Sequence, residues 1–302
     1  MGTHEYVEDP RNNSVLISIN GDLFPREEAK ISVFDAGFLL GDGIWESFRL
    51  HEGSLVFLEE HLDRLFEGAN SISLSIGRNR AEITREIERV VEANEMEDEV
   101  HVRLVISRGI KPTPYQAPWV ISSIPTMVII PEFKKANPQR LEIGISLVSV
   151  GIRRGGPEIQ DPRINSLSKH NCISACIEAD AKGGEEGLML DPHGFVSTCN
   201  STHFFMVKRG EVWTSTGDYC LDGITRRKVL QLCSENEIPF KLCNFTFADV
   251  NSADEAFVTG TFAGLTPVNS FDGTILGDGK RGPICERLQT LYIDLVKGGK
   301  IV

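Results

Sequence analysis

The sequence lacks the features that mark several large classes of protein. No apolar run in its 302 residues is long enough to span a bilayer, and the first residues, MGTHEYVEDPRNN, contain no apolar core of the kind found in signal peptides. The seven cysteines are an odd number and include no Cys-x-x-Cys pair, which argues against a disulfide framework and a zinc site. We therefore expect a cytoplasmic protein with reduced thiols and no metal.

Clusters of positive charge are also missing. The chain has 31 Lys and Arg against 43 Asp and Glu, a formal net charge of -12, and no basic stripe with interleaved aromatic residues. Such a charge balance repels a phosphate backbone, so we expect no nucleic acid partner. The remaining composition, 41% hydrophobic and 25% charged, is typical of a globular protein.

The hydrophobic pattern predicts two halves that mix strands and helices. Apolar runs broken at Asn20-Gly21 and at Glu52-Gly53 indicate hairpins, and residues 100–107 alternate as a strand does. Amphipathic helices are predicted over residues 59–72 and 81–96. A charged stretch with prolines near residues 131–139 separates the halves. We predict an α/β (mixed α+β) fold with a small domain in residues 1–133 and a larger one in 134–302.

Three segments have the chemistry to bind an anionic ligand. Arg64 lies on the first predicted helix, although a lone arginine there is usually solvated. The segment 222–226, DGITR, begins a helix, where free N–H groups and a hydroxyl suit a phosphate but also suit an ordinary helix cap. The segment 259–261, TGT, follows a strand and combines a glycine, which lets a ligand approach the backbone, with a hydroxyl donor.

In their order along the chain these segments resemble the class IV aminotransferases, the fold-type IV enzymes that use pyridoxal 5'-phosphate (PLP). The similarity extends from about Ser18 to Val268 and is carried by VFDAGFLLGDGIWESFR, FLEEHLDRLFEGA, VRLVISRG, EEGLMLDPHGFVS, LDGITR and FVTGTFAGLTPV. Branched-chain and D-amino acid aminotransferases belong to this family. The resemblance implies a two-domain fold with PLP at the domain interface, a larger C-terminal domain that binds it, and a homodimer.

The resemblance also implies roles for individual residues. Six residues match positions that contact the cofactor. Four of them match positions that bind its phosphate: Arg64, Ile224, Thr225 and Thr261. The other two, Thr198 and Gly260, match further cofactor contacts. Three match positions that face the substrate in relatives: Phe38, His101 and Arg103. The strand alternation independently puts His101 and Arg103 on one face.

The segment that should carry the catalytic lysine departs from the family pattern. In an ungapped alignment Asn165 stands where relatives have the lysine that holds PLP as a Schiff base, and asparagine cannot form that bond. Lys169 follows four residues later, about one turn away if the stretch is helical. We predict that Lys169 is the Schiff-base lysine. The alternative is a solvated Lys169 in a site without such a lysine.

A second departure lies at Thr198, where relatives carry a glutamate that protonates the pyridine nitrogen. A hydroxyl can only hydrogen-bond to that nitrogen, which weakens the cofactor as an electron sink. His203 stands where relatives often have asparagine, and a histidine in such a place is usually structural. Weaker candidates for substrate contacts are the pair Arg153-Arg154 and the residues Arg108 and Lys111 beside a proline-rich loop.

The predicted function is that of a PLP-dependent aminotransferase. It would move an amino group between an amino acid or small amine and a 2-keto acid through a Schiff base on Lys169. Two alternatives keep the same fold. One is a PLP-dependent lyase or racemase, and the other is a relative that binds PLP or a metabolite without turnover.

Overall fold

A computed structural model of the chain describes Thr3 and residues 7–298, and these form two compact units. The N-terminal unit consists of residues 7–135 and 164–169. The C-terminal unit consists of Thr3 and residues 136–163 and 170–298. The predicted mixed α/β class is confirmed. The predicted boundary after residue 133 lies close to the division after residue 135, but a single cut did not anticipate that 164–169 group with the N-terminal unit.

The N-terminal unit is built on one six-stranded sheet with helices packed on it. Its strands, in chain order, are β1 (Leu16–Ile19), β2 (Asp22–Pro25), β3 (Gly43–His51), β4 (Ser54–Leu55), β5 (Val100–Ser107) and β6 (Thr126–Phe133). Its helices are α1 (Ala36–Leu40), α2 (Leu58–Ser71) and α3 (Arg80–Ala93), preceded by a 3-10 turn at Pro10–Ser14. The strand order is β2-β1-β6-β5-β3-β4, and every neighbouring pair is antiparallel.

Both predicted hairpins of this unit are confirmed, and their turn residues show why. Asn20 and Gly21 have positive φ values of 54° and 100°, as a tight hairpin turn requires, and Ile19 pairs with Asp22 across it. The apolar faces of α2 and α3 supply much of the core. Core residues from these helices and from the sheet include Leu62, Leu65, Ile83, Ile87, Val90, Val102, Leu104 and Ile129.

The C-terminal unit is built on a nine-stranded mixed sheet. Its strands are β7 (Ile145–Ser149), β8 (Glu186–Leu190), β9 (Val196–Cys199), β10 (His203–Lys208), β11 (Glu211–Thr214), β12 (Phe240–Leu242), β13 (Glu255–Gly260), β14 (Gly264–Phe271) and β15 (Thr274–Ile275). Its helices are α4 (Pro138–Ile143), α5 (Pro157–Gln160), α6 (His170–Ala181), α7 (Ile224–Glu235), α8 (Phe247–Val250) and α9 (Pro283–Gly298). The order is β12-β11-β10-β13-β14-β7-β8-β9, with β15 paired to β14.

This order places the start of β10 beside the end of β13, because the two strands run antiparallel. The loops at these two strand ends contain residues that the sequence predicts to bind an anionic ligand. Among helices within the described ranges, none has both the length and the apolar character needed to cross a membrane. All seven cysteines are free thiols.

Phe257→Ala tests the core of the C-terminal unit. Phe257 stacks on Phe205 with ring centroids 5.0 Å apart, and both side chains are 0% exposed. Removing one ring leaves a cavity, so we expect the free energy of unfolding to fall by about 3–5 kcal/mol. Urea unfolding followed by circular dichroism measures the change. The exposed Ile177→Ala on α6 is the control, and equal midpoints for the two variants would contradict the packing described here.

Candidate active site

The first turn of α7 presents buried backbone amides that lack acceptors. The N-cap residue is Gly223, which has no side chain to cap them. Arg227 is the first helix residue whose amide reaches a carbonyl, that of Gly223 at 2.9 Å. Within the described ranges the amides of Ile224 and Thr225 have no partner, although these residues are only 2% and 4% exposed. Unpartnered buried amides at a helix N-terminus favour an anion, which also interacts well with the helix dipole.

Two threonine hydroxyls in the same unit are available to the same kind of ligand. Neither the Thr225 nor the Thr261 hydroxyl makes a hydrogen bond to any part of the chain that the structure describes. Thr225 lies in the first turn of α7, and Thr261 directly follows β13. Each can donate a hydrogen bond to a phosphate oxygen.

Packing between β10, β13 and α7 brings these groups into one region. His203 at the start of β10 pairs with Thr259 near the end of β13. A Cβ built on Gly260 would lie 3.7 Å from a methyl group of Thr202, and a Cβ on Gly223 would overlap the His203 ring. The ends of both strands therefore meet the N-terminus of α7. The segments 222–226 and 259–261, which the sequence singles out for an anion, lie together in the C-terminal unit.

Arg226 adds a buried positive charge to the first turn of α7. The residue is 6% exposed, and its Nη2 donates to the carbonyl oxygen of Ser215 at 2.6 Å. Its Nε has no partner, and no carboxylate within the described residues forms an ion pair with it. A buried cation without a counter-charge is unfavourable. The first turn of α7 therefore carries a buried positive charge in addition to its free amides.

The hydroxyl of Thr198 is already committed as a donor. Thr198 is 2% exposed, and its Oγ1 donates to the carbonyl oxygen of Thr202 at 2.7 Å. Its lone pairs can still accept a hydrogen bond from a ligand. The hydroxyl of Thr202 in turn donates to Oε2 of Glu186 at 2.7 Å, and burial raises the pKa of the Glu186 carboxyl. Sequence reasoning missed this buried acid, because its partner lies on another segment of the chain.

In the N-terminal unit, Arg64 is held by a buried carboxylate. Its Nε and Nη2 donate to the two oxygens of Glu46, each at 2.7 Å, and Nδ1 of His61 lies 2.7 Å from Glu46 Oε2. Burial would raise the pKa of Glu46, but the Arg64 charge and the hydrogen bonds of His61 and Arg64 lower it to about 2. Burial lowers the pKa of His61, so its imidazole is neutral and donates from Nδ1. The guanidinium is thus fixed in one orientation.

Sequence reasoning missed Glu46, although a signal was present. In β3 the residues Ile44, Glu46 and Phe48 alternate on the face that packs on α2, and all three are at most 1% exposed. A charged residue at an otherwise apolar position of such a pattern requires a partner. The arginine and the histidine, which lie one turn apart on α2, supply that partner.

The side chain of Lys169 contacts Asn165, but the segment between them does not have the conformation that the sequence analysis considered. The assumption that the stretch is helical is wrong, because α6 begins only at His170. The segment instead runs along β3, where Trp45 N donates to Asn165 O at 2.9 Å and Leu167 N donates to Gly43 O at 3.0 Å. Nζ of Lys169 nevertheless lies 3.0 Å from Oδ1 of Asn165. The amine is therefore beside the residue where the sequence comparison expects a lysine.

An aromatic ring lies beside this amine. Nζ of Lys169 is 5.5 Å from the ring centroid of Trp45, and the guanidinium carbon of Arg103 is 4.3 Å from the same centroid. Both contacts are within the range of cation–π attraction. The predicted catalytic lysine and one predicted substrate residue, Arg103, thus share a contact in the N-terminal unit.

The other predicted substrate residues differ in exposure. Phe38 on α1 is 67% exposed, whereas His101 on β5 is 6% exposed and pairs with Arg49 of β3. His101 and Arg103 lie two residues apart on one strand, so they project from the same side of the sheet.

The weaker candidates of the N-terminal unit have structural roles. Arg108 pairs with Asp42 through Nε at 2.6 Å and Nη2 at 3.0 Å and also donates to two backbone carbonyls. Lys111 is 1% exposed, and its Nζ donates to the carbonyls of Ala117 at 2.9 Å and Val120 at 3.2 Å. Both side chains hold loops in place.

The pair Arg153-Arg154 lies in the C-terminal unit. Arg153 Nη1 donates to the Asp191 carbonyl at 3.2 Å. Arg154 Nη1 lies 3.3 Å from Sγ of Cys172, and its buried Nε has no partner. These contacts leave a substrate role for Arg154 open and give Arg153 a structural one.

The sequence matches the family model for amino-transferase class IV over residues 43–271, which is well over half of the chain. The chain belongs to the class IV aminotransferases. Its matched region begins at β3 and ends at β14, and so includes both Glu46 and the start of α7.

Individual relatives agree with this assignment. The chain is 37% identical over 97% of its length to branched-chain-amino-acid aminotransferase-like protein 2 of Arabidopsis thaliana, but it spans only 52% of that protein. It is 32% identical to a putative branched-chain-amino-acid aminotransferase of Methanocaldococcus jannaschii, with 92% of this chain and 96% of that one covered. The solved structure of a branched-chain aminotransferase from Thermoproteus uzoniensis with norvaline has a TM-score of 0.85 at 27% identity, covering 95% of this chain and 96% of that one.

Glu46→Gln tests the buried ion pair. The variant leaves the Arg64 charge without its counter-ion, so we expect a loss of about 3–5 kcal/mol in the free energy of unfolding near neutral pH. Because the pKa of Glu46 is about 2 in the folded chain against an ordinary 4.5, its stabilising charge is present above pH 4.5 and is lost as the pH falls towards 2. Urea unfolding across this pH range should show the difference in free energy of unfolding between wild type and variant becoming smaller as the pH falls.

The control for this experiment is Glu59→Gln. Glu59 lies 3.9 Å from Arg80 with 75% of its side chain exposed, and we expect little change in stability there. A Glu46→Gln variant as stable as this control at neutral pH would contradict the role of the buried pair.

Proposed function

We propose that this chain binds PLP and transfers an amino group between an amino acid or small amine and a 2-keto acid. The observation that carries the proposal is the pair of buried, unpartnered amides at the start of α7 in a member of this family. Similar solved structures contain N-(5'-phosphopyridoxyl)-L-glutamate and pyridoxamine 5'-phosphate. When bound, PLP supplies a reactive aldehyde and a conjugated ring that accepts electrons from the substrate.

The cofactor phosphate is assigned to groups that can each donate to it. The amides of Ile224 and Thr225 and the hydroxyls of Thr225 and Thr261 provide hydrogen bonds, and Gly260 leaves the backbone open beside them. The family resemblance assigns Arg64 to the phosphate as well, and within its own unit Glu46 fixes the orientation of the Arg64 guanidinium. Thr198 is assigned instead to the pyridine nitrogen, where its hydroxyl can only accept a hydrogen bond, since its own proton is donated to the Thr202 carbonyl.

Lys169 is assigned as the residue that attaches to the cofactor and moves the substrate proton. Its Nζ donates to Oδ1 of Asn165, which holds the amine at a defined place. A lysine amine released from the cofactor acts as a general base at the substrate Cα and then as a general acid. Arg103, His101 and Phe38 are assigned to the substrate, and Arg103 contacts the same Trp45 ring as the lysine.

We also propose a cytoplasmic homodimer, as the family resemblance implies. Light scattering on the purified protein should give twice the mass of one chain. A mass of one chain at micromolar concentration would contradict the dimer and leave the cofactor assignment untouched.

Lys169→Ala tests the attachment site. We expect borohydride reduction of the PLP-loaded wild type to leave a pyridoxyl adduct on Lys169, because reduction converts the Schiff base into a stable amine. Peptide mass spectrometry locates the adduct, and the variant should lack it. Lys182→Ala is the matched control, since the Lys182 amine is paired with Glu178 at 2.9 Å and is not assigned to the site. An adduct on another lysine, or none with PLP bound, would contradict the assignment of Lys169.

The half-reaction tests the reaction type. Mixed with an amino donor and no keto acid, a transaminase retains the amino group, so the bound cofactor should convert to pyridoxamine phosphate in one turnover. Absorption spectra and mass spectrometry of the released cofactor follow the conversion. Branched-chain amino acids and D-alanine are the first donors to test, because relatives are named for them. Product formation with the cofactor still in its aldehyde form would point instead to lyase or racemase chemistry.

A further inference from the structure

His203 is packed against the segment of residues 221–223, which precedes α7. The residue is 9% exposed, and its Nε2 lies 2.6 Å from the carbonyl oxygen of Leu221. Because a carbonyl only accepts, Nε2 carries a proton and donates. The backbone of His203 is fixed by its pairing with Thr259 of β13. The imidazole therefore connects the sheet to the segment of residues 221–223.

The same ring determines which residue can occupy position 223. A Cβ built on Gly223 would overlap Cε1 of His203 and lie 2.6 Å from Nδ1, distances that real side chains do not show. The φ of Gly223 is -73°, so the backbone conformation does not itself require glycine. The requirement comes from the imidazole. With His203 in place, every other residue at 223 must displace the ring.

A glycine at the N-cap has a direct consequence for the helix amides. Serine, threonine, aspartate and asparagine at this position accept hydrogen bonds from the second or third amide of the helix. Gly223 has no side-chain acceptor, so those amides, which belong to Thr225 and Arg226, have no acceptor among the described residues. Excluding a side-chain cap therefore preserves an anion site that a conventional cap would partly fill.

We propose that His203 is a positioning residue for the cofactor phosphate. It holds the carbonyl of Leu221 and excludes any side chain at position 223, so the amides of the first turn stay oriented and that of Thr225, which an N-cap side chain would otherwise occupy, remains available. The inference rests on the proposed function, because it takes the phosphate of PLP as the anion. His203 acts through Gly223 and the segment of residues 221–223.

The test compares PLP with pyridoxal, which has the same ring and aldehyde but no phosphate. Both are titrated into the cofactor-free protein, as wild type, His203→Ala and His203→Gln. We expect His203→Ala to raise the Kd of PLP about tenfold, equivalent to about 1.4 kcal/mol, and to leave that of pyridoxal within about twofold. His203→Gln keeps an N–H donor on a side chain of similar reach, so its PLP affinity should lie closer to that of the wild type.

Gly223→Ala provides an independent variant. The added methyl group displaces the ring, so it should weaken PLP binding in the wild-type background and do so much less when His203 is already alanine. Additive effects of the two substitutions would overturn the proposed coupling between His203 and Gly223. Circular dichroism and the unfolding midpoint of each variant establish that it is folded.

Thr225→Ala separates failure of this inference from failure of the proposed function. If Thr225→Ala does not weaken PLP relative to pyridoxal, the phosphate assignment itself is wrong. If Thr225→Ala has that effect while His203→Ala weakens both ligands equally, or weakens neither, the phosphate assignment stands and the positioning role of His203 is wrong.

Discussion

The candidate site in the C-terminal unit depends on one constraint: the first backbone amides of α7 have no hydrogen-bond acceptors within the described residues. Folding normally provides acceptors for buried N–H groups, since each one left without a partner costs about 1–3 kcal/mol. Here Ile224 and Thr225 are buried without acceptors among the described residues, and Arg226 brings a positive charge to the same turn. An anionic ligand can accept hydrogen bonds from these amides. The Thr225 hydroxyl in the same turn and the Thr261 hydroxyl after β13 can also donate to the oxygens of a phosphate.

The N-terminal unit solves a different electrostatic problem. Glu46 is fully buried and remains ionised because Arg64 and His61 surround it, so its charge is balanced inside the protein. The guanidinium loses rotamer freedom and gains a single orientation. In the same unit the amine of Lys169 contacts a neutral carboxamide oxygen and an aromatic face. The arginine is thus held by an opposite charge, whereas these two contacts of the lysine are with neutral groups.

Local patterns predicted much of the fold because they depend on neighbouring residues. The Asn20-Gly21 turn, the alternation in β5 and the amphipathic faces of α2 and α3 are set within a few residues, and all are present as predicted. The candidate phosphate segments were also visible, since glycine and threonine at a helix start carry their chemistry locally. Glu46 and His203 were missed or left open because their roles come from partners at least fifteen residues away.

The sequence by itself determined the family, the mixed α/β class and the residue types available for chemistry. Only the tertiary structure decided how those residues are used. The segment around Asn165 pairs with β3 where a helix was assumed, because its backbone finds partners in Gly43 and Trp45 that lie far away in the chain. Lys169 contacts Asn165 within this extended segment, and Gly223 is a required glycine because His203 fills the space beside it. Both features depend on which residues from distant parts of the chain pack next to these positions. The spacing of residues along the sequence does not contain that information.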